Sequence, residues 1–151
     1  MAGLLNYCSY QPGSGNYDEK ADLEEVKYAI YGTISWAQTK DFNMSNKIIA
    51  NDPEYLEVDP DTSVVRGFKE FKKREAFFAD PRFKAVRYEI RDLKINFSKS
   101  HETAWWYAIL DDINEWNGKP ANWLNTRWTG VLEKRDGKWV IVQMHFSFAK
   151  K

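Results

Sequence analysis

The fold of this 151-residue chain is decided by residues 126–148, TRWTGVLEKRDGKWVIVQMHFSF. Apolar and polar residues alternate on both sides of Asp136 and Gly137, a pattern typical of two half-buried strands joined by a tight turn. A three-residue loop, Arg135 to Gly137, makes one face of this hairpin almost entirely apolar, whereas a two-residue loop would mix the two faces. Because one face of a packed sheet is buried, the cleaner partition predicts the three-residue loop.

This register assigns each side chain of the hairpin to one of two faces. The predicted inner face consists of Thr126, Trp128, Gly130, Leu132, Val140, Val142, Met144, Phe146 and Phe148. The predicted outer face consists of Arg127, Thr129, Val131, Glu133, Trp139, Ile141, Gln143, His145 and Ser147. Arg127 and His145 should then be direct cross-strand neighbours. Gly130, in the middle of the inner face, leaves room for an opposing ring or for a ligand.

Helices and further strands precede the hairpin. Helical spacing predicts helices over about 22–37, 43–50 and 68–78, the first with Asp22 as its N-cap. A short strand at about 55–58 ends at Asp59-Pro60. Two long strands follow at about 85–97 and 103–114, and the apolar alternation of the first slips by one residue at Asp92, which predicts a β-bulge. Because the helices come first and the long strands follow, the sequence predicts an α+β domain.

Composition excludes several classes of function. Twenty-two basic residues balance twenty-two acidic ones, whereas a nucleic-acid-binding protein carries a basic patch. No stretch approaches the roughly 20 apolar residues of a membrane span. The chain has one cysteine, Cys8, and two histidines, and these do not have the spacing of metal ligands, so we expect no metal site and no cofactor.

The N-terminal part has turn-forming residues and no periodicity. We therefore predict a leader over residues 1–20 and one domain over residues 21–151. The first ten residues lack the charged segment and the apolar run of a signal peptide, which favours a cytoplasmic protein. A periplasmic protein or lipoprotein that had been trimmed and given a new Met1 would have the same sequence.

The order of these elements, ending in Asp136-Gly137-Lys138-Trp139 and then His145-Phe146-Ser147, resembles SnoaL-like domains. These domains belong to the nuclear-transport-factor-two-like superfamily, which includes ketosteroid isomerase and the association domain of calmodulin-dependent kinase. The resemblance covers about residues 20–149. It implies a cone-shaped, curved antiparallel sheet with three N-terminal helices packed on its concave face. It does not specify a function, because this fold hosts isomerases, dehydratases, binding proteins and assembly domains.

Two relatives sharpen the expectations for the pocket. The kinase association domain has a pocket built on three arginines, and their positions correspond here to Leu110, Gly130 and Phe146, so the resemblance implies no anionic ligand. If Leu110 faces inward, Trp106 and Asp112 on the same strand face inward too. Ketosteroid isomerase has its general base at an Asp-Pro pair that Asp59-Pro60 resembles, but its partner acid corresponds to a region without a carboxylate. Asp59 is therefore either a base in an apolar site or a turn aspartate.

We accordingly expect a small-molecule-binding protein whose pocket takes a small apolar or aromatic molecule. The predicted ligand-binding residues are Tyr55, Trp106, Leu110, Asp112, Trp128, Gly130, Met144 and Phe146. One alternative is a homo-oligomeric assembly module, and we expect a homodimer formed through the outer face of the sheet. The predicted interface residues are Arg127, Trp139, Ile141 and His145. The other alternative is an isomerase- or dehydratase-type enzyme that uses Asp59 as its catalytic residue.

Overall fold

The computed structural model describes residues 17–149. Its helices are α1 (Glu19–Thr39), α2 (Phe42–Ile48), α3 (Phe68–Lys73) and α4 (Glu75–Ala79). Its strands are β1 (Leu56–Val58), β2 (Val64–Arg66), β3 (Phe83–Phe97), β4 (Thr103–Trp116), β5 (Lys119–Pro120), β6 (Trp123–Arg135) and β7 (Lys138–Ser147). The third predicted helix is therefore two short helices that meet at Arg74. Most of the predicted leader lies outside the described residues.

The strands form one strongly curled sheet in the order β2-β1-β7-β6-β4-β3, with β5 paired to β4. β1 runs parallel to β7, and the other neighbours are antiparallel, so the sheet is mixed rather than purely antiparallel. Helices α1 and α2 pack on this sheet, with contacts to β3 and β7. The predicted α+β cone-shaped fold is confirmed.

Helix α1 begins earlier than the sequence predicts. Its N-cap is Asp18, whose side chain accepts hydrogen bonds from the backbone amides of Lys20 and Ala21 at 3.1 Å each. Asp22 is instead a buried residue of the first turn. Its carboxylate accepts hydrogen bonds from Lys134 Nζ at 2.7 Å and from Trp139 Nε1 at 2.9 Å. The predicted N-cap is therefore wrong, and Asp22 fastens α1 to the β6–β7 hairpin.

The predicted bulge at Asp92 is confirmed. The pairing of β3 with β4 shifts between Arg91 and Lys94, and Asp92 lies there with a φ of 54°. Aspartate tolerates this left-handed conformation better than most side chains. The bulge bends the long strand β3 and contributes to the curl of the sheet.

The loop between β6 and β7 has two residues, so the predicted three-residue loop is wrong. Arg135 pairs with Lys138, and Asp136 and Gly137 between them have φ values of 52° and 75°. Two successive positive φ angles are characteristic of a type I′ turn, which matches the twist of the flanking strands.

A bulge further along β7 restores the apolar face. Leu132 pairs with Ile141, but the next pair is Val131 with Gln143, so Val142 has no partner of its own. An extra residue in one strand exchanges the two faces beyond it. The side chains at 139 and 141 therefore face inward before the bulge, and those at 144 and 146 face inward after it.

Because of this bulge, several residues predicted on the outer face are placed differently. Trp139 and Ile141 are only 4% and 0% exposed, so the prediction that they belong to an outer dimer interface is wrong. Arg127 and His145 are exposed on the outer face, but they are not direct partners. Arg127 pairs with Ser147, and His145 pairs with Thr129.

Gly130 makes room for a ring of the protein. A Cβ at this position would lie 2.1 Å from Trp106 Cη2 and 2.5 Å from the carbonyl oxygen of Gln143. Trp106 is the cross-strand neighbour of Gly130 and is 1% exposed. The space that the sequence predicted at Gly130 is thus filled by Trp106.

Within residues 17–149, we find no helix that combines the length and the apolar character needed to cross a membrane.

Candidate functional site

A cavity of about 440 Å³ lies between the helices and the concave face of the sheet. All four helices and strands β1, β3, β4, β6 and β7 contribute side chains to its wall. The aromatic residues of the wall are Trp36, Phe71, Phe77, Phe78, Phe83, Trp116, Trp123 and Phe146. This volume and this mostly apolar lining with a few polar groups are typical of sites for small organic molecules.

The cavity includes four of the predicted site residues, namely Asp59, Asp112, Met144 and Phe146. The other five predicted ligand-binding residues are buried beside the cavity rather than on its wall. These are Tyr55, Trp106, Leu110, Trp128 and Gly130. The indole rings of Trp106 and Trp128 pack edge to face, with centroids 5.4 Å apart, and Trp128 stacks on Phe146 at 5.7 Å. The two tryptophans thus fill the core next to the cavity and support its wall.

A polar cluster forms one side of the cavity, at the end of β1. Side chains alternate along a strand, so Tyr55, Glu57 and Asp59 share the buried face. Tyr55 Oη donates a hydrogen bond to Glu57 Oε2 at 2.7 Å. Arg74, at the junction of α3 and α4, donates a hydrogen bond to Glu57 Oε1 and lies 3.3 Å from Asp59 Oδ2. The guanidinium of Arg74 is therefore shared between the carboxylates of Glu57 and Asp59.

Asp59 is the most perturbed carboxyl group of this cluster. Its side chain is 6% exposed, and its Oδ1 has no hydrogen-bond partner among the described residues. Burial raises the pKa of Asp59 to about 7; the guanidinium of Arg74 opposes this shift and the carboxylate of Glu57 adds to it. Burial alone would lower the pKa of Arg74, but Glu57 and Asp59 raise it above its ordinary value. Asp59 can thus exchange a proton near neutral pH, while Arg74 stays charged.

A second polar group lies on β4, on another side of the cavity. Asp112 and Asn114 face the cavity together with Trp116, at alternate positions of the strand. Burial raises the pKa of Asp112, and the side chain of Asn114 partly opposes this shift. Asn114 is 7% exposed, and its Oδ1 has no hydrogen-bond partner within residues 17–149. Asp112 forms no ion pair with any residue of that range.

The mouth of the cavity is framed by aromatic and charged side chains. Phe77, 48% exposed, stacks on Trp116 with centroids 5.0 Å apart and an interplanar angle of 3°. The guanidinium of Arg82 lies over the ring of Trp116 at 4.7 Å. Asp80 accepts two hydrogen bonds from the guanidinium of Arg82, at 3.0 and 2.7 Å, so the charges of these two side chains balance each other.

Sequence reasoning missed Glu57, Arg74 and Asn114. The alternation of Tyr55, Glu57 and Asp59 could have placed Glu57 on the buried face. Helical spacing from Phe71 could likewise have assigned Arg74 to the buried side of the third helix. Their contact could not be inferred, because it joins residues that are 17 positions apart in the chain.

Across the described range, we find no group of three or more His, Cys, Asp or Glu side chains placed to hold a metal ion.

Comparison with known proteins identifies the family. The profile of the SnoaL-like domain matches residues 26–151. A comparison with curated proteins finds no match. Solved structures share the fold at low sequence identity, which supports the fold alone. One is a candidate dehydratase of the nuclear-transport-factor-two-like family from Streptomyces avermitilis, with a TM-score of 0.75 and 15% identity over 89% of this chain and 100% of that chain.

Two further structures have a TM-score of 0.72. One is a candidate calmodulin-dependent kinase association domain from Exiguobacterium sibiricum, 7% identical over 89% of this chain and 98% of that chain. The other is a candidate scytalone dehydratase from Novosphingobium aromaticivorans, 9% identical over 87% and 91%. From its sequence match and its fold, this chain belongs to the SnoaL-like domain family.

Proposed function

We propose that the cavity binds a small, largely apolar molecule and that Asp59 exchanges a proton with it. The observation that carries this proposal is the position of Asp59: a carboxyl group with a free buried oxygen on the wall of an apolar cavity, with its pKa raised to about 7. A general base works best when its pKa lies near the pH at which it operates. We infer that the reaction removes a proton from a carbon atom, as in isomerisation or dehydration, from this base together with the SnoaL-like fold.

The neighbours of Asp59 support this role. Arg74 holds Oδ2 at 3.3 Å, which orients the carboxyl group and leaves Oδ1 for the ligand. Glu57 accepts hydrogen bonds from both Tyr55 and Arg74, and these contacts fix the position of the Arg74 guanidinium. Two of the similar structures bear the names of candidate dehydratases, which agrees with acid–base chemistry in a cavity of this fold.

The base can be tested with 5-nitrobenzisoxazole, a neutral aromatic probe. A base removes the proton from its carbon atom, the ring N–O bond breaks, and the released cyanonitrophenolate is measured by its absorbance. We expect the wild-type protein to accelerate this reaction with saturation, and the rate to rise with pH through about 7. Asp59→Asn should reduce the rate about a hundredfold, the scale of a lost general base.

Asp61→Asn is the matched control, because Asp61 also lies on the cavity wall but is exposed to solvent. Its rate at high pH should equal that of the wild type, and the midpoint of its pH profile should lie slightly lower, because the carboxylate of Asp61 contributes to the raised pKa of Asp59. Equal rates for Asp59→Asn and the wild type would refute the role of Asp59.

A second candidate function is assembly through the outer face of the sheet. Trp105 and Tyr107 are 44% and 38% exposed there. Their cross-strand neighbours are Val131 and Thr129, and Thr129 pairs in turn with the exposed His145. A continuous patch with two exposed aromatic rings fits the homodimer predicted from the sequence.

Sedimentation velocity tests this candidate. We expect a dimer at micromolar concentration, and Trp105→Arg should shift it to the monomer. Tyr28→Arg is the control, because Tyr28 is 61% exposed on α1, away from the patch. A monomeric wild-type protein would exclude the assembly function.

A further inference from the structure

Two buried acceptor atoms on the cavity wall lack a hydrogen-bond donor within the described residues. Asp59 Oδ1 and Asn114 Oδ1 are both buried and without a partner in residues 17–149, and both residues lie on the wall. Native structures rarely leave buried acceptors unpaired, because each one loses its hydrogen bonds to water. A ligand that brings hydrogen-bond donors would satisfy both.

Three side-chain donors on the wall, those of Thr33, Trp36 and Arg74, are already engaged. Thr33 Oγ1 donates to the carbonyl oxygen of Ile30 at 2.7 Å, and Trp36 Nε1 donates to the carbonyl oxygen of Thr33 at 2.9 Å. Arg74 donates to Glu57 and is paired with Asp59. These groups have little to offer an anionic or acceptor-rich ligand.

The charge of the wall is negative. Glu57, Asp59, Asp61 and Asp112 contribute carboxyl groups, and among residues 17–149 the lining has one Lys or Arg side chain, Arg74. Arg74 is shared between Glu57 and Asp59, so Asp112 is left as a half-buried carboxyl group without a cation in the described part of the chain. Burying such a group is unfavourable unless an opposite charge accompanies it, and a cationic ligand would supply that charge.

We propose that the ligand of this cavity is a small arylalkylamine, an aromatic ring carrying an alkylammonium group, with its ammonium group at Asp112 and Asn114. The ammonium donates hydrogen bonds to the Asp112 carboxylate and to Asn114 Oδ1. The apolar body of the ligand packs against Met144, Phe146 and Trp123. Asp59, across the cavity just after β1, stays available for the proton exchange proposed above. The inference rests on that proposed function and adds the class of ligand.

Three indole probes of nearly equal size distinguish a preference for a cationic ligand from a preference for a neutral or an anionic one. At neutral pH, tryptamine is a cation, indole-3-ethanol is neutral and indole-3-acetate is an anion. In calorimetric titrations of the wild-type protein, tryptamine should bind about tenfold more tightly than indole-3-ethanol, the effect of one charge-assisted contact. Indole-3-acetate should bind most weakly.

Asp112→Asn should remove the preference for tryptamine, so that tryptamine and indole-3-ethanol bind with nearly equal affinity. The matched control is Asp111→Asn on the same strand. Asp111 points to the opposite face, where it pairs with Arg91 at 2.9 Å, so this variant should keep the wild-type order of affinities. Thermal melting of both variants with indole-3-ethanol verifies that each retains its folded cavity.

The outcomes distinguish the two proposals. Equal affinity of the wild type for tryptamine and indole-3-ethanol, or tightest binding of indole-3-acetate, would overturn the inference and leave small-molecule binding intact. A preference for tryptamine that persists in Asp112→Asn would overturn the assigned position of the ammonium. If none of the three probes binds, the proposed function fails, and the inference fails with it.

Discussion

Asp59 links the chemistry of the cavity to the stability of the protein. Its carboxyl group has an ordinary pKa of 3.8, and burial in the folded chain raises this pKa to about 7. Between these two values the folded state binds one proton more than the unfolded state. Stability therefore falls as the pH rises through this window, because the folded state retains a proton that the unfolded state has lost. The burial that raises the pKa of Asp59 toward neutrality thus destabilises the folded protein at neutral and higher pH.

We predict that Asp59→Asn flattens this pH dependence. The wild-type free energy of unfolding, measured by urea denaturation, should decrease between pH 4 and pH 7 by on the order of 1–3 kcal/mol from this group. The asparagine variant has no such proton, so above the pKa of about 7 it should be more stable than the wild type. Asp61→Asn should retain most of the wild-type slope, because the carboxylate of Asp61 is the smallest of the five causes of the shifted Asp59 pKa. An unchanged slope in Asp59→Asn would mean that Asp59 does not titrate in this range.

Gly130 shows how a single residue determines what the core contains. Its missing Cβ admits the indole ring of Trp106 and the carbonyl group of Gln143. We predict that Gly130→Ala destabilises the protein by about 1–3 kcal/mol, because an atom at 2.1 Å from Trp106 Cη2 forces the ring to move. Chemical denaturation measures this change. Thr129→Ala, at the adjacent exposed position, should change stability little, and a tolerated Gly130→Ala would contradict the packing described here.

Individual residues differ in how far the sequence could place them. The resemblance to ketosteroid isomerase at Asp59-Pro60 implies that Asp59 is a polar group of the pocket, and strand alternation from Leu110, an inner position by resemblance to the kinase association domain, predicts the same for Asp112. Trp106 and Trp128 were also assigned to the pocket, although they fill the core beside it. Alternation tells which face of a strand a side chain occupies. It does not tell where along that face the helices leave a cavity.

At the scale of elements, the bulge at Asp92 in β3 and the bulge at Val142 in β7 differ in how clearly the sequence indicates them. At Asp92 a polar residue with a left-handed backbone interrupts the alternation, so the slip is apparent. At Val142 the bulge lies in the run Val140-Ile141-Val142, where every residue is apolar and suits a strand. A one-residue slip within such a run does not change the pattern of apolar and polar residues. The sequence therefore favours the three-residue loop, because without a bulge only that loop keeps one face of the hairpin apolar.

The bulge can be tested by removing its extra residue. Deleting Val142 should bring Met144 and Phe146 to the outer face or force Trp139 and Ile141 out of the core. We predict that the deletion variant does not unfold cooperatively and loses its near-ultraviolet circular dichroism. Val142→Ala, which keeps the residue count, should fold with only a modest loss of stability. A deletion variant as stable as Val142→Ala would disprove the role of the bulge.

At the scale of the whole molecule, the two faces of the sheet have different properties. The concave face and the helices enclose a cavity with an acidic, acceptor-rich wall, whereas the outer face carries exposed aromatic rings of β4. The order of elements predicts the α+β class, because the helices precede the long strands, and the resemblance to SnoaL-like domains implies the cone-shaped sheet. The polar cluster of Tyr55, Glu57, Asp59 and Arg74 required the structure, since α3 and α4 are brought to β1 only by the folded chain.

The central claim is that the cavity binds a small molecule, and blocking the cavity tests it most directly. Ala37 lies on the wall, whereas Ala21 is exposed near the start of α1. In calorimetric titrations with indole-3-ethanol, the wild type and Ala21→Phe should bind equally, and Ala37→Phe should lose at least about tenfold in affinity because its ring occupies the cavity. Equal affinity of Ala37→Phe and the wild type, or no binding to the wild type of any of the three indole probes, would contradict the claim.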